Sequence, residues 1–382
     1  MRVDVKPELL SWACERGGRD VGLFLDRFPQ LERWLSMDAN PTLKQLEKFS
    51  HATHTPIGYL FLDTPPVDTV PIPDLRTVGN ERIGHPSTNL LDTLYLCQQR
   101  QEWYRDFARS MGESPLAFVG SASIRDDIVP TAARIRGTLG FDLDERAKMP
   151  SWEDALRHFI SQADDIGIMV MCSGVAKGNT HRTLDPEEFR GFALSDPLAP
   201  LVFINGKDTK SAQMFTLAHE LAHIWLGESG LTDTQAASTP VLEIEQWCNR
   251  IAAEMLVPIE VVQAELRPGA DLDDEVKRLA RRFKVSSLVI LRRIHDAGGL
   301  SREAFWDAFE AEHARLVALV RNREPGGDYY RTQSAGVSKR FARAVIAGTW
   351  EGRCSFTEAF SLLGCKKMST FRDFGHKLGM SF

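Results

Sequence analysis

Between Met214 and Leu226 the chain reads MFTLAHELAHIWL, an almost wholly apolar run that carries two histidines and a glutamate. Met214, Phe215, Leu217, Leu221 and Ala222 leave no continuous polar face, so the run predicts a helix buried in a core. Ionisable side chains on such a helix need a partner that offsets their loss of water. His219 and His223 are four residues apart, about 40° around a helix, so both rings can reach one ion. Glu220 then lies toward the water such an ion would hold and can act as its general base. The spacing therefore predicts a metal centre, with Zn2+ as cofactor and hydrolysis as its chemistry.

A catalytic zinc site takes three protein ligands and leaves a position open. A third histidine at the extended-motif position is excluded, because Leu226 and Ser229 stand where its glycine and histidine would fall. The next predicted helix, Glu243 to Leu256, offers Glu243 and Glu245. Glu245 is preferred, since Asn249 lies one turn on and can support a site histidine through a hydrogen bond. The result is a gluzincin arrangement of His219, His223 and Glu245 with Glu220 as base. Candidates for steadying an oxyanion or contacting substrate are His181 and Arg190, with His295 a weaker one. The run FRGFAL (189–194) is expected to be an open strand edge able to pair with an extended peptide.

Around this centre the pattern is mostly helical. Short helices are expected over 1–63, including one opened by a Thr42–Gln45 capping box. Four prolines in DTPPVDTVPIP mark an extended linker. Long helices are expected at Leu90 to Met111 and Ala132 to Leu139, and one capped by Ser151 should reach about Asp165. GIMVM (167–171), FRGFAL and PLVFIN (200–205) read as strands. The expected division is a helix-turn-helix-like domain at 1–63, a Pro-rich linker at 64–80, a metallopeptidase domain at 81–300 and a basic helical domain at 301–382.

Composition narrows the setting. No apolar run is long enough to cross a bilayer, and the N-terminus lacks the apolar block of a signal peptide. The six cysteines are scattered and form no CxxC pair. A cytoplasmic protein with reduced thiols is expected. The net charge of −6 is uneven. Residues 328–382 hold nine Lys/Arg against four Asp/Glu, which leaves 37 against 48 in the rest. A basic tail on an acidic body suits an anionic partner.

The runs SGVAKGNTHRTLDPEEFRGFALSDPLAPLVFIN, AQMFTLAHELAHIWLG and EIEQWCNRIAAEMLVP together resemble the ImmA/IrrE family of zinc metallopeptidases. The resemblance implies zinc held by His219, His223 and Glu245, with Glu220 as base. Cys248 and Ile251 replace the usual Ala and Phe of the Glu245 helix. It implies an α+β fold, mostly helical and multidomain, in which a zincin-like core packs a small sheet on the motif helix. It also implies an intracellular endopeptidase whose substrate is a repressor or antitoxin-like regulator, in a stress, phage or toxin–antitoxin switch. PELLSWACERGG, PTLKQLEKF and PIGYLFLDTPP resemble a Cro/repressor-type helix-turn-helix module, with Gln30 to Ser36 as recognition helix and Arg27 and Arg33 as phosphate contacts. That module has eight Lys/Arg against nine Asp/Glu over 1–63, so it lacks a basic footprint. The other reading is a DNA-binding regulator or antitoxin that uses the same fold as a sensor or docking surface. SFTEAFSLLGCKKMSTFRDFGHKL has the shape of two helices around a tight turn at Gly364, the second with a basic face.

Overall fold

The computed structural model describes residues 2–17, 21–66, 70–75, 86–232, 242–267, 269–321 and 336–380. Parts of the expected linker (67–69 and 76–80), and the start of the helix expected from Arg19, lie outside them. The chain divides into two compact units, one from Met1–Pro71 with Asn80–Leu94 and one from Ile72–Gly79 with Tyr95–Phe382.

In the first unit α1 (Pro7–Arg16), α2 (Val21–Leu25), α3 (Leu31–Leu35) and α4 (Leu43–Thr53) precede a 3-10 turn at Ile57–Phe61. Pro7 starts α1 where its missing N–H costs nothing. The Thr42–Gln45 capping box closes in both directions, satisfying two backbone N–H groups at the start of α4. Phe49 meets Phe24, Phe28 and Trp34 edge-on and centres a small core completed by Leu9, Leu10, Leu31 and Leu46.

The second unit is built on a four-stranded sheet of order β1 (Met169–Ser173), β3 (Leu201–Asn205), β2 (Gly191–Leu194), β4 (Gly230–Thr232). β1 pairs with β3 in parallel, and β2 pairs antiparallel with both β3 and β4. All three of the strands expected from sequence form. The FRGFAL strand is not an edge, however, because β3 covers one side of it and β4 the other. β4 is only three residues long, too short to show the alternation by which a strand is recognised.

α5 (Thr88–Ser110) begins in the first unit and continues into the second. The other helices of the second unit pack on this sheet and on each other: α6 (Ile128–Leu139), α7 (Leu143–Lys148), α8 (Trp152–Asp165), α9 (Lys210–Leu226), α10 (Glu243–Leu256), α11 (Ile259–Glu265), α12 (Leu272–Phe283), α13 (Ser287–Asp296) and α14 (Arg302–Arg321). α15 (Lys339–Trp350), α16 (Phe356–Leu363) and α17 (Met368–Lys377) follow. The protein is thus mixed α+β and mostly helical. α9 runs through the middle. Thr209 caps its start and Gly227, at φ 77°, ends it. Every residue from Gln213 to Trp225 is buried, as an all-round apolar helix requires. Among the described residues, no helix is long and apolar enough to cross a membrane.

Candidate metal centre

α9 supplies His219, Glu220 and His223, and α10 supplies Glu245 from its first turn. Two acidic residues there suit the positive end of the helix, and Pro258 bars its continuation past Val257. α10 packs along α9, which brings a carboxylate 22 residues downstream onto the two imidazoles. The Nε2 atoms of His219 and His223 are 3.1 Å apart. Glu245 Oε2 is 3.2 Å from His219 Nε2, and Glu245 Oε1 is 3.0 Å from His223 Nε2. Glu245 is only 3% exposed and both histidines are fully buried.

This donor set fits a metal ion. One ligand atom from each of His219, His223 and Glu245 lies within 4.8 Å of the others. A four-coordinate ion with bonds of about 2.0–2.1 Å needs donors about 3.3 Å apart, close to the spacings here. His219 Nδ1 lies 3.0 Å from Asn249 Oδ1. An Nδ1–H donated there fixes the tautomer and turns the Nε2 lone pair toward the other donors.

Glu220 is held separately. Thr232 on β4 donates a hydrogen bond from its hydroxyl to Glu220 Oε1. The other carboxyl oxygen, Oε2, is buried without a protein partner. Gly191 leaves room for this arrangement. A Cβ at that position would stand 2.6 Å from Thr216 Cγ2 and 2.9 Å from Glu220 Oε1. β2 therefore lies against the carboxyl group only because residue 191 has no side chain.

Burial pushes the Glu220 carboxyl up to about 8, against the pull of His219 and Thr232. Burial acts on Glu245 in the same direction, but the two histidines outweigh it and bring that carboxyl down to about 2. Burial is the largest influence on His219 and lowers it, but Glu245, Glu220 and Asn249 together raise it, so its net movement is upward. His223 is lowered, chiefly by burial. Burial thus favours the neutral form of Glu220, whereas the two imidazoles favour the charged form of Glu245.

The other candidates make contacts of their own. The Arg190 guanidinium pairs with Asp208 at 2.6 Å, and its backbone N–H donates to Thr232 O. Asp208 is shifted upward because burial outweighs that pairing. His181 is exposed in the loop between β1 and β2, its backbone N–H held by Asn179 Oδ1. His295 stacks on Phe305, with Nδ1 at 2.9 Å from Leu300 O. In the first unit Arg27 and Arg33 are exposed, the former over the Phe28 ring. The segment expected as a recognition helix is α3, five residues long, which buries Leu31 and Trp34 and exposes Glu32 beside Arg33. Thr232 is the site residue that sequence reasoning missed.

Residues 163–295 match the family model Peptidase_M78, the IrrE N-terminal-like domain. That stretch contains the sheet, α9 and α10, and the match supports a metallopeptidase of the ImmA/IrrE type. Residues 337–377 match a domain of unknown function, DUF8813, which covers α15 to α17. No curated protein matches the chain.

Proposed function

We propose that this protein is a zinc-dependent endopeptidase of the gluzincin type. The observation that carries the reading is the convergence of His219, His223 and Glu245 beside a buried Glu220 with one unpartnered oxygen. His219, His223 and Glu245 would hold the ion, with Asn249 orienting His219. When bound, zinc would supply a Lewis acid that makes a water nucleophilic near neutral pH and polarises a peptide carbonyl. Glu220 Oε2 takes the proton of the attacking water and returns it to the leaving amine. Thr232 holds Oε1 meanwhile, so that the free oxygen stays aimed.

The substrate by family likeness is a repressor or antitoxin-like DNA-binding regulator, cut inside the cell that makes it. Glu220→Gln keeps the shape and the zinc and removes the base. The test compares the proteomes of cells carrying the wild type and this variant. One regulator that disappears only with the intact site supports the reading. Cleavage of that regulator by metal-loaded, purified Glu220→Gln would overturn it.

A second reading, favoured by the exposed Lys366, Lys367, Arg372 and Lys377 on and before α17, is that the C-terminal region binds nucleic acid. It is compatible with the first, as is DNA contact through Arg27 and Arg33. A gel shift on DNA upstream of the protein's own gene that weakens steeply with salt, and is unchanged by Glu220→Gln, would support it.

A further inference from the structure

β4 forms one outer strand of the sheet, and its free side is not open. Asp74 bridges Leu231 in parallel. The Leu75 N–H donates to Leu231 O at 3.0 Å, and the Leu231 N–H donates to Pro73 O at 3.0 Å. Both backbone groups of Leu231 that an incoming strand would use are therefore already taken by Pro73–Leu75. Pro73 has a ring-fixed φ and the chain bends just before it, at Pro71–Ile72, so little freedom is lost when Pro73–Leu75 docks.

The side of the strand on which it sits matters. Side chains two residues apart in a strand share a face. The Thr232 hydroxyl reaches Glu220, so Gly230 faces the same side. The register agrees, since Gly191 opposite Thr232 also abuts Glu220. A Cβ on Gly230 would stand 2.3 Å from Leu75 Cδ1 and 3.0 Å from its Cγ. Leu75 thus fills the space over Gly230, on the catalytic face, two residues from the strand position that holds the base.

We propose that Pro73–Leu75 is an internal occupant of the peptide-binding edge, which keeps the site latent, with Leu75 in a socket that takes an apolar side chain of a substrate. The proposal rests on the peptidase reading for its consequence, though not for the occupancy itself. Extended peptides bind sheet edges by backbone pairing, with pockets for alternate side chains supplying selectivity. Here the pairing partner is Leu231 and the pocket is the one over Gly230. A competing peptide must displace the internal segment before it is cut. The substrate class is therefore an extended, unstructured stretch with a branched apolar residue, presented at high local concentration.

The experiment uses the zinc-loaded full chain in three forms: wild type, Leu75→Asp and Leu75→Pro. The first variant places a charge over Gly230 where the half-buried Leu75 side chain lay, and the second removes the N–H that bonds Leu231. Near-UV circular dichroism establishes that each is folded. Three readouts follow: hydrogen exchange at the Leu231 amide, binding of a fluorescein-labelled peptide VPIPDLR by anisotropy, and hydrolysis of labelled casein. If the internal segment occupies the edge in nine molecules of ten, its release tightens peptide binding about tenfold. Casein cleavage rises by a similar factor, and Leu231 exchanges faster. Adding Gly230→Ala to Leu75→Asp puts a methyl where Leu75 Cδ1 stood and abolishes the gain in peptide binding. The proposal is overturned if exchange shows the segment released while peptide binding stays at the wild-type level in both variants. Should peptide binding rise while no form cleaves casein, the occupied edge stands and the peptidase reading is what fails.

Discussion

α10 carries two buried glutamates that differ in everything but burial. Glu245 and Glu254 are each 3% exposed. Glu254 is fully committed: its Oε2 takes a hydrogen bond from Arg293 Nη2, and both oxygens accept from the Ile259 N–H at 3.3 Å. Arg293 in turn donates from Nε to Val257 O at 2.8 Å. That cluster satisfies the end of α10 and ties it to α13. Among the described residues Glu245 pairs with two imidazoles, and its Oε1, 3.0 Å from His223 Nε2, makes no well-directed hydrogen bond. Glu220 Oε2, His223 Nδ1 and Asn249 Nδ2 are buried nearby without partners. Native proteins rarely leave such groups unsatisfied, and a bound ion or a catalytic role is one reason they do; among the described residues Arg146, with two such nitrogens, stands alone, whereas here four residues share the feature. Burial alone does not mark a site. The mark is a group of buried polar atoms whose hydrogen bonding is left incomplete.

The comparison can be broken by truncating each glutamate in turn. Glu245→Ala should cost the metal, beyond the ~10–100-fold loss in affinity that follows removal of a supporting contact. The variant should also lose the zinc-dependent rise in melting temperature, and without metal it should melt below the metal-free wild type, because the two imidazoles that hold the Glu245 carboxyl down to about 2 lose their partner. Zinc titration and thermal melts with and without chelator check both statements. Glu254→Ala should do the reverse. It leaves buried Arg293 with only the longer 3.5 Å pairing to Asp296, which costs up to about 3–5 kcal/mol of stability. At a temperature where the chain remains folded its zinc affinity should be unchanged. Equal effects on metal binding would mean that the two clusters form one network.

Sequence made some of this legible. His219, Glu220 and His223 lie within five residues on one helix, so their convergence follows from helical geometry alone. Glu245 was reachable because only two acids open α10, and Asn249 distinguishes between them. Its partner role shows in the 3.0 Å contact to His219. Glu243, the other acid, is exposed. The strands β1, β2 and β3 announced themselves as apolar runs. Their order did not, because pairing is set between segments far apart in the chain, and the edge expected at FRGFAL is an inner strand. Thr232 and Gly230 could not be read at all. A Gly-Leu-Thr run has no period, and its importance comes from lying across β2 from the core. The Arg190–Asp208 pair is likewise invisible, since 18 residues and two whole strands separate its members.

Smaller effects sharpen the distinction between holding the metal and holding the base. Asn249→Ala frees His219 Nδ1 and should weaken zinc about 10–100-fold, with little change in rate once the site is saturated.

Thr232→Val is the opposite case and the finer test. The substitution keeps the shape of the side chain and removes the hydroxyl that donates to Glu220 Oε1. A hydrogen bond to a charged group contributes about 1.5–3 kcal/mol, so a loss of roughly tenfold or more in kcat is expected if the bond is made in the transition state. Zinc affinity should not move, because Thr232 makes no contact with His219, His223 or Glu245 among the described contacts. Thr232→Ser retains the donor and should recover most of the rate, which a merely structural role for the methyl group would not allow. If Thr232→Val lowers zinc affinity and rate together, β4 shapes the whole centre. If it lowers rate alone and serine restores it, β4 positions one carboxyl oxygen, and the division between a metal-holding face on α10 and a base-holding face on β4 stands.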